Sequence, residues 1–111
     1  MNNPESLFAA IKGAEYVVHT ASPFPIKPPR HENDLINPAV NGTKAVMLAC
    51  HANKVKRVVI TSSVAAIMYM TPAEVPIDGH YTEKCWSNPV GEHIAAYAKS
   101  KTLAEMAAWE F

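Results

Sequence analysis

Tyr97 and Lys101, in the run YAKSK, stand four residues apart. On a helix that spacing sets both side chains on one face, within reach of a common ligand. A free phenol titrates near ~10 and is a poor base at neutral pH, but an ammonium beside a phenol favours the phenolate. A pair of this kind could exchange a proton with an alcohol or carbonyl oxygen, with a serine hydroxyl opposite to hold that oxygen. The same groups could then relay a proton while a cofactor moves a hydride. The spacing by itself is weakly specific. From the tyrosine and lysine content of 111 residues about 0.3 such pairs arise by chance, so an exposed tyrosine with a solvated lysine is a serious alternative.

Two more polar clusters, Thr20-Ala21-Ser22 and Thr61-Ser62-Ser63, each follow a short apolar run. Small residues let a ligand approach the backbone closely, and hydroxyls both donate and accept. Taken singly, each cluster is more readily read as turn-capping serines and threonines.

These residues need elements to position them. Pro4, Glu5 and Ser6 open a short helix through Leu7, Phe8 and Ile11, which Gly13 ends. Residues 14–20 (AEYVVHT) form a buried strand. SPFPIKPPR, with four prolines among nine residues, is an extended loop. Residues 32–53 turn helical, and Pro38 inside them predicts a kink or a late start with Asn37 as cap. RVVIT (residues 57–61) is a second strand without alternation, as suits a strand covered on both faces. Pro72, Pro76 and Gly79 mark turns, and Asn88-Pro89 leads into a long helix from roughly residue 91 to residue 111. In open α/β sheets ligands bind beyond the carboxyl ends of the strands, which is where both hydroxyl clusters fall. Strand, helix, strand, loop and helix make part of a parallel sheet with right-handed crossovers. Two strands are too few for a doubly wound sheet, so the sequence reads as a slice of a larger domain.

Composition bounds the function. Hydrophobic residues at 49% and charged residues at 18% describe a globular chain. Ten basic and ten acidic residues cancel, giving no support for a nucleic-acid or anionic-membrane partner. Lys54, Lys56 and Arg57 read as the solvated end of a helix leading into a strand. Cys50 and Cys85 have no metal spacing and suit reduced intracellular thiols. The start MNNPESLFAA is no signal peptide, and no run approaches the ~20 apolar residues of a membrane span. Cytoplasm is the default location. His31, His51, His80 and His93 lack two-His metal spacing and His19 lies in a strand, so the histidines read as surface or packing residues, and Trp86 and Trp109 as packing residues.

Taken in order, the segments YVVHTASPF, NGT, KRVVITSSVAA, TEKCW and YAKSKTLAEMAAWEF resemble the extended short-chain dehydrogenase/reductases of the NAD-dependent epimerase/dehydratase superfamily. They are most like the branch of dihydroflavonol reductase and cinnamoyl-CoA reductase. The resemblance spans nearly the whole chain. It implies an α/β fold, a partial Rossmann-type doubly wound parallel sheet lacking the first βαβ unit and the C-terminal substrate region. Residues 1–111 would be the central part of an NAD(P)-binding domain. The implied activity is hydride transfer between NADP or NAD and a small carbonyl or alcohol substrate. Ser63 would be the catalytic serine, Tyr97 the acid/base and Lys101 the holder of the nicotinamide ribose. Thr20, Ala21, Ser22, Thr61 and Ser62 would line the cofactor with Tyr97 and Lys101. Two departures stand out. No glycine-rich βα turn is present, since Gly13, Gly42, Gly79 and Gly91 lie far apart, so these residues alone are expected to be inactive. Ala39 takes the place where many relatives carry a helix asparagine. A non-catalytic structural or assembly protein that keeps part of the reductase fold is the alternative.

Overall fold

The computed structural model describes residues 4–25, 27–91 and 94–111. Ile26 of the proline-rich loop, Glu92 and His93 of the expected long helix, and the first three residues lie outside that description.

Helix α1 (Pro4–Ile11) opens on proline, whose missing N–H costs nothing in a first turn. It closes where Gly13 takes φ +83°, a left-handed conformation that glycine adopts without a Cβ clash. Strand β1 (Tyr16–His19) pairs in parallel with β2 (Arg57–Ile60), with Val17 opposite Val58 and His19 opposite Ile60. Helix α2 (Asn33–Ala52) joins them. Ile11, Val46, Ala49 and Cys50 form the buried core here, with Leu7, Val17, Val55 and Val58 packed on it.

Helix α2 keeps to the helical stretch expected over residues 32–53, and of the two alternatives it does not take the late start at Pro38, which is its sixth residue. The carboxylate of Asp34 accepts the His31 backbone N–H at 3.2 Å, and Leu35 and Ile36 are buried. Burial of those two side chains outweighs the bond that Pro38 cannot make, because packing rather than propensity supplies most helical stability. At the other end the Lys54 N–H reaches the His51 carbonyl and the Val55 N–H the Cys50 carbonyl, both at 3.0 Å. This is a Schellman close, with Lys54 at φ 56°. Asn53 Nδ2 bonds the carbonyls of Ala49 and Phe8, tying α1 to the end of α2.

Beyond β2 a 3₁₀ turn (Val64–Ala66) leads to loops organised around Ser87, which is 1% exposed. Its hydroxyl donates to the Ala65 carbonyl and accepts from the Tyr69 N–H, each at 2.8 Å. The turns expected at Pro72, Pro76 and Gly79 are present, with Gly79 at φ +72°. Helix α3 (Ala96–Trp109) starts some five residues later than expected. Asn88-Pro89 makes a turn, with the Gly91 N–H on the Asn88 carbonyl at 3.2 Å, and Ala95 is extended. Small buried residues, Ala98, Ser100, Thr102, Ala104 and Ala107, let α3 pack closely. The hydroxyls of Ser100 and Thr102 bond carbonyls of their own helix, those of Tyr97 and Ala98.

Two further expectations need correction. Tyr16, Val18 and Val59 are more than half exposed, so the strands are covered on one face only. The helices gather on the side of Val17, Val58 and Ile60, and nothing among the described residues covers the other. Trp109 is 78% exposed rather than packed. No described helix is long and apolar enough to cross a membrane.

Candidate active site

The carboxyl ends of both strands point the same way, because the strands are parallel. Their pairing continues one step further, through the Thr61 N–H to the His19 carbonyl at 2.9 Å. This holds the two hydroxyl-bearing segments side by side. The face of α3 that carries Lys101 closes over them, and Thr43 of α2 completes a narrow cleft. Ala21, Ser22, Thr61, Ser62 and Lys101 line it together with His19 and Glu105. Its volume of about 20 Å³ suits a water or a single hydroxyl rather than a ring system.

Lys101 is 8% exposed. Its Nζ donates to the Thr61 carbonyl at 3.2 Å, which satisfies one of three ammonium protons and leaves two directions for other acceptors. His19 is equally sheltered. Burial and, secondarily, the Lys101 ammonium hold its imidazole below the ordinary value of 6.5, so it is neutral at pH 7. Ser62 donates its hydroxyl to the Glu105 carboxylate.

The remaining residues expected at the site do not line this cleft. Ser63 has an extended backbone and caps the 3₁₀ turn, its Oγ accepting the Ala65 N–H at 3.2 Å. Accepting that bond leaves the O–H of Ser63 able to donate. Tyr97 is half-buried in the first turn of α3, with its ring edge-on to Phe24 at 5.2 Å. It lines a separate apolar cavity of about 260 Å³ with Phe24, Pro25, Pro29 and Leu35. Thr20 is exposed and lies outside the cleft lining.

The structure thus gathers Ala21, Ser22, Thr61, Ser62 and Lys101 in one cleft and sets Ser63 and Tyr97 outside it. His19, Thr43, Glu105 and Phe24 were not singled out from sequence. Glu105 was within reach of the same reasoning, since it continues the four-residue spacing from Tyr97 through Lys101. The tertiary contacts of His19 and Thr43 left no such signal.

Chemically, an ammonium, a backbone acceptor and the Ser22 hydroxyl around one cleft suit a polyhydroxyl group such as a ribose edge. The Tyr97 phenol and the Ser63 hydroxyl, neither of which lines this cleft, are groups of the type that exchange protons with an alcohol or carbonyl. Cys50 lies in the core with Ile11, Val46 and Ala49, and burial pushes its thiol up. Among the described residues no three His, Cys, Asp or Glu side chains are grouped to hold a metal ion.

Comparison with known proteins gives the same geometry a context. The family described as 3-beta hydroxysteroid dehydrogenase/isomerase is matched over residues 1–110. Cinnamoyl-CoA reductase 1 of Arabidopsis thaliana is 44% identical over 108 residues, which cover 96% of this chain and 30% of that protein. The NADPH-dependent methylglyoxal reductase of Saccharomyces cerevisiae is 41% identical over 111 residues, covering 90% of this chain and 31% of that one. The crystal structure of yeast methylglyoxal/isovaleraldehyde reductase complexed with NADPH superposes with a TM-score of 0.74 at 36% identity, over 97% of this chain and 34% of that one. The shared fold is a Rossmann-type parallel sheet, to which these residues contribute two strands and the helices on one face. The chain spans about a third of the length of the relatives it matches.

Proposed function

This chain belongs to the 3-beta hydroxysteroid dehydrogenase/isomerase family, and from that premise we propose that it is the central part of an NAD(P)-dependent oxidoreductase acting on a small carbonyl or secondary alcohol. The observation that carries the reading is Lys101. It is a buried lysine at the carboxyl ends of two parallel strands, bonded to the Thr61 carbonyl, one helical turn from a tyrosine. A buried cation is costly unless it has acceptors, and a ligand's hydroxyls would provide the remaining ones. NADPH is favoured over NADH because the yeast relative is NADPH-dependent by name and the superposable structure holds NADPH.

When bound, the nicotinamide supplies a hydride to the carbonyl carbon, or accepts one from the alcohol. The protein's own residues do the rest. Lys101 and the Thr61 carbonyl hold the ribose hydroxyls, and the backbone around Ala21 and Ser22 lines the cofactor. Tyr97 donates its phenolic proton to the carbonyl oxygen as that carbon is reduced, and takes a proton from the alcohol in the reverse direction. Ser63 orients the oxygen by donating its hydroxyl. Ser62 is less suited to that task because its own proton is engaged by Glu105. A glycine-rich turn to cradle the pyrophosphate is not found within residues 1–111, so we assign that part of the site to other segments. Two free, buried cysteines suit a cytoplasmic location.

The test is Tyr97→Phe in a polypeptide of the relatives' length carrying this segment. Removing one proton donor is expected to lower kcat for NADPH-dependent aldehyde reduction by about 10²- to 10⁴-fold with NADPH affinity retained. Unchanged kcat would remove Tyr97 from the chemistry.

A further inference from the structure

Lys101 and Glu105, four residues apart on α3, both reach the same short segment after β2. The Lys101 ammonium donates to the Thr61 carbonyl at 3.2 Å. The next residue, Ser62, donates its hydroxyl to Glu105 Oε2. The Thr61 N–H is already tied to the His19 carbonyl; the two bonds from one helix face to consecutive residues fix the orientation of the segment that follows. The second oxygen of Glu105 is held as well, accepting from Trp109 Nε1 at 3.4 Å. Glu105 is also the one carboxylate among the described residues lining the cleft, and Lys101 has no ion-pair partner within 4.0 Å among the described residues. A charge-assisted bond of this kind is among the stronger ones available to a protein.

We propose that Glu105 is a positioning residue for Lys101. By anchoring Ser62 it holds the Thr61 carbonyl against the ammonium. Its consequence for cofactor binding rests on the oxidoreductase reading, whereas the clamp itself does not.

The experiment is site-resolved acetylation of lysines in the 111-residue chain, without cofactor, read by mass spectrometry. Glu105→Ala removes the acceptor and is expected to raise the Lys101 acetylation rate about tenfold, the effect of losing one charge-assisted bond. Rates at Lys99 and Lys54 should stay as they were. Glu105→Gln keeps an acceptor for Ser62 and should restore most of the protection. Ser62→Ala removes only the donor, and it carries the test should Glu105→Ala fail to fold; it should expose Lys101 in the same direction. An unchanged Lys101 rate in the folded variants would overturn the proposal, as would an equal rise at every lysine, which reports general loosening. The Tyr97→Phe assay tests the oxidoreductase reading independently, so either can fail alone.

Discussion

His19 is the last residue of β1 and lines the cleft with Lys101, and its imidazole is held neutral mainly by burial. The unfolded chain binds a proton at His19 near the ordinary 6.5, while the folded chain binds it only at lower pH. The stability this group contributes is therefore fully present above about 6.5 and is lost as pH falls through its folded value. Urea unfolding of the chain is expected to show a falling midpoint on acidification below that pH, with a shallower fall in His19→Gln. Identical slopes in the two proteins would contradict the assignment. That Tyr97 and Lys101 share one helix was legible because helical spacing is a local property; that they line different cavities was not. His19 looked like any strand residue, since its neighbours come from β2 and α3, far away in sequence. Glu105 lay between these cases: its spacing was visible, its partner Ser62 was not.

At the scale of elements, the order helix, strand, helix, strand, helix follows from proline, glycine and apolar runs; α3 starts later than expected, and α2 runs through Pro38 instead of starting there. Both shifts have tertiary causes. Burial of Leu35 and Ile36 extends α2 upstream of Pro38, while Asn88-Pro89 closes a turn that delays α3. The close of α2 carries a prediction. Lys54 takes φ 56°, a left-handed conformation that costs a side-chain-bearing residue roughly 1–2 kcal/mol. Lys54→Gly relieves that cost at a position where glycine is preferred, though glycine loses more freedom on folding. The net expectation is a gain of about 0.5–1 kcal/mol, read as a higher urea midpoint with unchanged slope. A lower midpoint would mean that the Lys54 side chain makes a stabilising contact.

For the whole molecule, both strand runs lack alternation, which led to the expectation of a sheet covered on both faces. Among the described residues helices cover only one, leaving Tyr16, Val18 and Val59 open. The pattern was legible, and this chain spans about a third of the length of the relatives it matches. The cleft tells the same story at smaller size: at about 20 Å³ it accepts a hydroxyl, and the rest of a dinucleotide needs surface from elsewhere. The most direct measurement follows hydrogen from cofactor to product. A polypeptide of the relatives' length carrying residues 1–111 is given NADPH deuterated at the nicotinamide C4 position and a small aldehyde or ketone. Deuterium on the carbinol carbon of the product, in stoichiometric amount from one of the two C4 epimers, is the predicted result. Product formed without that deuterium from either epimer, or no NADPH oxidation across a panel of small carbonyls, would contradict the account.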